Sequence, residues 1–302
     1  MKRALLRVAT ASVLVSGMIG AASAADLIVK APVVAPVPVF SWTGVYIGIG
    51  GGSGWGTKEY SWNQDATIAA LNQQGYPFFP PPLGSFGNTQ GSHPISGGFF
   101  GGQIGGNWQI GWAVLGVQAD AHWADINGKG SCFDPGAGLG AAAFGVSYNC
   151  SAKVSSFGSV TGRLGAAFDR ALIYAKGGWA WEQSKLDLSV SGVTWALADP
   201  AASISASSLN QSRSGWTWGA GVEYAFAPNW SAFIEYDYFN FGATAVNSSH
   251  LLTSPAIAVA VPAAPTTYAY PIQTDVTEHF QVIKAGVNFR YGTSIEGLLS
   301  EG

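Results

Sequence analysis

Asp120 and His122 stand two residues apart, the spacing at which a β-strand turns both side chains to one face. A carboxylate beside an imidazole is half of an acid–base system, and with a serine nucleophile it would carry acyl transfer. The chain holds four histidines, His93, His122, His250 and His279, and two of them directly follow a serine, at Ser92–His93 and Ser249–His250. Neighbours in sequence rarely form the hydrogen-bonded pair that a nucleophile needs, so no enzyme is expected. The same face rule collects further charges: Arg163, Lys176, Glu182, Glu223, Glu235, Asp237, Lys284 and Arg290. Acids and bases come from different segments. The expected chemistry is mutual neutralisation inside an enclosed space, with Arg163, Lys176, Lys284 and Arg290 set against Glu223, Glu235, Asp237 and Asp120. No cofactor or metal site is expected. The glycine run GIGGGSG at 48–54 has no following helix and so is no phosphate cradle.

The elements that must position these groups are read from a period of two. In SGWTWGAGVEYAFAPNWSAFIEYDYFNFG, residues 214–242, Trp216, Trp218, Ala220, Val222, Tyr224 and Phe226 form one series. Gly215, Thr217, Gly219, Gly221, Glu223 and Ala225 form the other. After the turn Ala227-Pro228-Asn229 the alternation resumes, with Trp230, Ala232, Ile234, Tyr236 and Tyr238 on one face. Ser231, Phe233, Glu235, Asp237 and Phe239 lie on the other. This is a β-hairpin. Its apolar face is aromatic at the ends and small or aliphatic between, which suits a strand crossing a bilayer.

Composition agrees. Of 302 residues 48% are hydrophobic and only 10% charged, and 41 are glycine; ordinary soluble domains carry about 25% charged residues. No apolar run after the N-terminus is long enough for a membrane helix. A closed barrel is the other structure that satisfies every backbone group in lipid. Net charge of −3 without a basic run gives nucleic-acid binding no support.

The expected order is a secretory signal at 1–24, cleaved between Ala24 and Ala25, then a Pro-rich periplasmic linker at 25–41. An eight-stranded antiparallel up-and-down transmembrane barrel, an all-β fold, follows at 42–291, then a short tail at 292–302. Strands are expected at 42–55, 96–108, 112–123, 153–168, 171–188, 214–226, 230–239 and 275–291. Tight turns alternate with long loops at 57–94, 127–152, 187–211 and 243–274. That alternation puts both chain ends on the periplasmic side and the four loops outside the cell. Val154, Ser156 and Gly158 are expected to face lipid on the fourth strand. Cys132 and Cys150 fall in one long loop of an exported chain and are expected to pair as a disulfide.

WTGVYIGIGGGSGWG (42–56), YAFAPNWSAFIEYDYFNFG (224–242) and the closing HFQVIKAGVNFRYG (279–292) resemble the small outer-membrane β-barrel proteins of alphaproteobacteria. Those are similar to the OmpA membrane domain and the opacity-type surface proteins of the porin family. The resemblance implies an outer-membrane location and roles in envelope integrity, surface contact and, in some members, solute passage. It brings no catalytic residues. Family members usually end on an aromatic that closes the last strand; here GTSIEGLLSEG follows Tyr291. Expected partners are outer-membrane lipid, the barrel-assembly machinery, and a host or environmental surface. Two functions stay open: a structural barrel presenting loops, and a porin-like narrow channel.

Overall fold

A computed structural model describes residues 40–63, 88–133, 144–195, 203–204, 207–254 and 266–291. The expected signal, its cleavage pair Ala24–Ala25, the linker up to residue 39 and the tail after Tyr291 lie outside the described residues. Eight long strands run antiparallel: β1 (Gly44–Asn63), β2 (Asn88–Ile110), β3 (Ala113–Phe133), β4 (Phe144–Phe168), β5 (Ala171–Trp195), β7 (Ser207–Ala225), β8 (Trp230–Ser254) and β9 (Thr266–Tyr291). A two-residue strand, β6 (Ser203–Ile204), pairs with β8. Each long strand pairs with the next, and β1 pairs with β9 from Val45↔Tyr291 to Trp62↔Thr274. The sheet therefore closes on itself and leaves no edge across the membrane.

The outward series are those the alternation predicts. Ile49, Phe100, Val117 and Ile234 are each more than 60% exposed, which only lipid accommodates. Trp123, Trp179, Trp216 and Trp218 ring one end of this band, and Trp108, Trp112, Phe168, Tyr224 and Trp230 ring the other. The tight turns lie at Gly111–Trp112, Asp169–Arg170 and 226–229. Gly111 and Asp169 both take positive φ, 62° and 51°, as two-residue hairpins of this hand require.

Three expectations are corrected. The loops at 57–94, 127–152, 187–211 and 243–274 are in large part strand, because β1, β3, β5 and β8 continue past the apolar band. Exposed residues there include Glu59, Lys129, Lys185 and Asp275, so the apolar alternation ends while the backbone ladder does not. Val154 is fully buried rather than lipid-facing. A bulge shifts β4 against both neighbours near Ser155, between Trp123/Ile126 on one side and Val154/Ser156 on the other, and so reverses the faces beyond it. The turn expected around Gln109–Gly111 falls one residue later, since Gln109 and Ile110 still pair with Val114 and Ala113.

A second bulge, at Asn240/Gly242, is matched on one side only. β8 shifts against β9 there, with Gly242 at φ 64° and its N–H donating to Asn240 Oδ1 at 2.9 Å. Against β7 no shift occurs. Pairing simply stops at Trp216↔Asn240 and resumes at Ile204↔Leu252 in the same register. In between, the faces conflict. Buried Arg213 would oppose exposed Ala243, and exposed Asn210 would oppose buried Val246. Those amides of 207–215 and 241–249 that point across this seam, and not toward β5 or β9, are therefore expected to exchange with solvent faster than amides at the same height in β3. Deleting Gly242 restores strict alternation toward both neighbours. Hydrogen exchange should then slow by about an order of magnitude or more along this seam; unchanged rates would refute the register argument.

Candidate functional site

The bore is filled in tiers, and the odd–even rule on each strand decides what enters it. At the tight-turn end Trp42 is fully buried beside Val114, Leu172 and Ala225. Its backbone N–H donates to Gln109 Oε1 at 2.7 Å and its indole N–H to the Asp169 carbonyl at 3.1 Å. The Arg290 guanidinium lies over the Phe40 and Trp42 rings, 4.9 and 4.8 Å from their centroids, and donates to the Ser41 carbonyl at 2.6 Å. Arg290 thus holds the entering segment instead of neutralising a carboxylate as the sequence suggested. Residues 40–42, expected as linker and strand start, stopper this end.

Above it, Arg163 Nη2 meets Glu223 Oε2 at 2.6 Å. Ser231 and Asn288 donate to the other Glu223 oxygen at 2.6 and 2.9 Å. Arg163 also donates to the Tyr46 hydroxyl at 3.1 Å and stacks 3.5 Å from the Tyr174 ring centroid. Tyr46 and Tyr174 lie over Gly105 and Gly221, their direct cross-strand partners, where a Cβ would collide with each hydroxyl. These two inner-face glycines clear room for a neighbour's ring, and Gly48 and Gly219 do the same for the Asn288 amide and the Asp237 carboxylate.

The middle tier holds three carboxylates on two ammonium groups. Lys176 reaches Glu235 at 2.6 Å, Asp237 at 3.2 Å and Asp120 at 3.4 Å. Lys284 reaches the same three at 2.6, 3.2 and 3.8 Å. All five side chains are 0–1% exposed. Tyr174 donates to Glu235 at 2.7 Å. His122 Nδ1 stands 3.5 Å from Asp120 Oδ1, but Ser159 donates to Asp120 Oδ2 at 2.8 Å rather than to the imidazole. The arrangement is an ion cluster, with no serine on the histidine.

His122 instead stacks on Phe157, centroids 5.0 Å apart, and meets Phe99 edge-on at 5.2 Å. Phe157 also packs against Phe99, Phe239 and Phe280 at 5.1–5.4 Å. This apolar tier, completed by Ile126, Val154, Ala180 and Val282, crosses the bore. Beyond it a fourth tier is polar again. Lys58 meets Glu278 at 2.6 Å, and Arg213 stands 3.7 Å from Glu278 and 4.0 Å from Glu182. Ser184 donates to Glu182 at 3.2 Å. Higher still, past the membrane band, Tyr60 and His93 Nε2 are 2.9 Å apart and His93 Nδ1 faces the Pro94 carbonyl at 3.2 Å. Burial holds this imidazole below its usual pKa, so it is neutral, with Nδ1–H donating and Nε2 accepting from Tyr60.

Of the ten charged residues singled out from sequence, Asp120, His122, Lys176, Glu235, Asp237 and Lys284 come together in the middle tier. Arg163 and Glu223 sit in the tier below, Glu182 in the tier above and Arg290 at the stopper. Missed were Lys58, Arg213, Glu278 and, although the alternation puts Phe239 on the inward face, the joining of Phe99, Phe157, Phe239 and Phe280 into one layer. Carrying the two-residue count past each apolar band would have found the first three. Cys150 is buried, and among the described residues no cysteine is free. Cys132 lies on β3 where Ser131↔Asn149 gives way to Phe133↔Tyr148, so both cysteines stand on paired strands rather than in a loop.

Residues 11–254 match the model of the outer membrane protein beta-barrel domain. Two curated relatives, the 31 kDa outer-membrane immunogenic proteins of Brucella melitensis and Brucella suis, are 34% identical over 233 residues, covering 73% of this chain and 81% of theirs. Among solved structures, the outer membrane protein OprG of Pseudomonas aeruginosa aligns with 84% of this chain and 99% of its own at 10% identity and TM-score 0.35. The outer membrane protease OmpT of Escherichia coli aligns with 85% of this chain and 99% of its own at 10% identity and TM-score 0.38. The closed antiparallel barrel, the family match and the Brucella relatives agree: the chain belongs to the outer-membrane β-barrel family and is a protein of the outer membrane.

Proposed function

We propose that this protein is a sealed structural barrel that contributes to envelope integrity and presents its outer connections for surface contact. The observation that carries the reading is the Phe99–Phe157–Phe239–Phe280 layer lying directly on the Lys176–Lys284 ion cluster. Water and ions need a continuous polar path, and an apolar layer interrupts one. The narrow-channel reading would need that layer to part. No catalysis is assigned, and the Asp120–His122 pair is a structural contact.

In this reading the tight turns and both termini are periplasmic, and the long strand extensions with their connections are extracellular. A signal at 1–24 delivers the chain, and the barrel-assembly machinery inserts it. Surface display fits the immunogenic character in the names of the Brucella relatives. Protease added to intact cells tests it: cleavage between β1 and β2 or between β8 and β9 is expected, and cleavage only after the outer membrane is opened would reverse the orientation.

Cys132 and Cys150 form a disulfide in the same reading, supported by their near-opposed places on β3 and β4. Such a link stabilises by about 2–4 kcal/mol through its effect on the unfolded chain. Reduction is expected to lower the unfolding midpoint accordingly and to hasten proteolysis between the two cysteines. No response to reductant would remove the bond from the account.

A further inference from the structure

The bore uses up most of the described cations: Lys58, Arg163, Lys176, Arg213, Lys284 and Arg290 are all buried. Three lysines on the described strands face outward instead, Lys129, Lys153 and Lys185, all exposed. They stand on three consecutive strands. Lys153 of β4 is the direct cross-strand partner of Lys185 of β5, and Lys129 of β3 pairs with Ser151, two residues along β4 from Lys153. Two acids accompany them: Asp125 reaches Lys153 at 2.9 Å and Asp187 reaches Lys185 at 3.3 Å. The patch keeps one positive charge in excess. Each of the two directly opposed lysines already meets one of these acids, so the excess charge is that of Lys129 beside them, and the patch as a whole favours an anion.

The height of the patch selects the anion. Trp123 pairs with Ser156, three residues below Lys153, and Trp181 lies four residues below Lys185. At about 3.3 Å per residue on a tilted strand, Lys153 and Lys185 ride roughly 10 Å or less above the outer aromatics and Lys129, six residues beyond Trp123, about 15 Å. That is where lipid headgroups lie, the aromatic ring marking the edge of the hydrocarbon. On the far side of the barrel the exposed charges at this level are the acids Glu59 and Asp275, on β1 and β9. The collar is thus polarised, cationic over β3–β5 and anionic over β1 and β9.

We propose that Lys129, Lys153 and Lys185 form a binding site for the anionic headgroup of an outer-leaflet lipid, phosphate-bearing or carboxylate-bearing. The site rests on the outer-membrane location and is independent of whether the bore conducts. Spin-labelled lipids test it on the folded, full-length barrel in phosphatidylcholine vesicles. One excess charge near the surface predicts a preference for phosphatidic acid over phosphatidylcholine of roughly five-fold, weakened by 0.5 M salt. Replacing the three lysines, Lys129→Gln with Lys153→Gln and Lys185→Gln, leaves the two acids and brings the ratio below one, while Asp125→Asn with Asp187→Asn raises it above wild type. All five side chains point out of the fold, so heat-modifiable gel migration verifies folding in each variant. Equal ratios in wild type and the triple lysine variant would overturn the proposal. Loss of the preference when inorganic phosphate is added at the same concentration as the lipid would also overturn it, by making free phosphate the ligand.

Discussion

Lys284→Met is expected to destabilise the folded barrel by about 3–5 kcal/mol, the cost of removing one partner from a buried ion cluster. Lys284 faces Asp120, Glu235 and Asp237, and no water-exposed route relieves them. With one ammonium gone, Lys176 alone opposes three carboxylates. The penalty comes from the stranded charge more than from the lost bond, because a buried pair contributes little net stability while intact. A second substitution separates the two. Glu235→Gln added to Lys284→Met removes the carboxylate that both lysines approach at 2.6 Å, and is expected to recover part of the loss. Urea unfolding in detergent, followed by heat-modifiable migration, measures both. Equal stability of Lys284→Met and wild type would mean the bore is wet enough to solvate the acids.

Phe157→Ala is the other large change, expected to cost about 3–5 kcal/mol. Phe157 is the hub of the apolar tier, in ring contact with Phe99, His122, Phe239 and Phe280. Its strand partners are His122 and Glu182, so the void opens between the middle and upper polar tiers. Truncation removes apolar contact and invites water to join the two. The variant is therefore expected to conduct measurably more than wild type as well as to unfold earlier. Loss of stability without any gain in conductance would leave the ion cluster as the barrier and relieve the phenylalanines of that role.

The membrane half of this barrel was legible in the sequence because lipid imposes a two-residue rhythm on every spanning strand. Trp216 to Phe226 and Ile283 to Tyr291 fall outward as the alternation requires, and Glu235, Asp237 and Lys284 fall inward. The rhythm fades once the outward side chains meet water, which is why Arg213, Lys58 and Glu278 do not stand out in it and strand there reads as loop. Bulges are harder still. Ser155 and Gly242 carry no compositional mark, yet each reverses the faces beyond it; strict alternation points Val154 at lipid for that reason. Which acid meets which base was only partly readable. Alternation gives a face but no height, so Arg290 was grouped with the central lysines although it lies at the stopper with Trp42.

In the proposed function, packed side chains close the bore from Trp42 to Phe280. Planar-bilayer recording on purified, folded, full-length protein tests it most directly. A bore closed in this way passes no steady current in molar potassium chloride. A large and stable single-channel current from that preparation would contradict it.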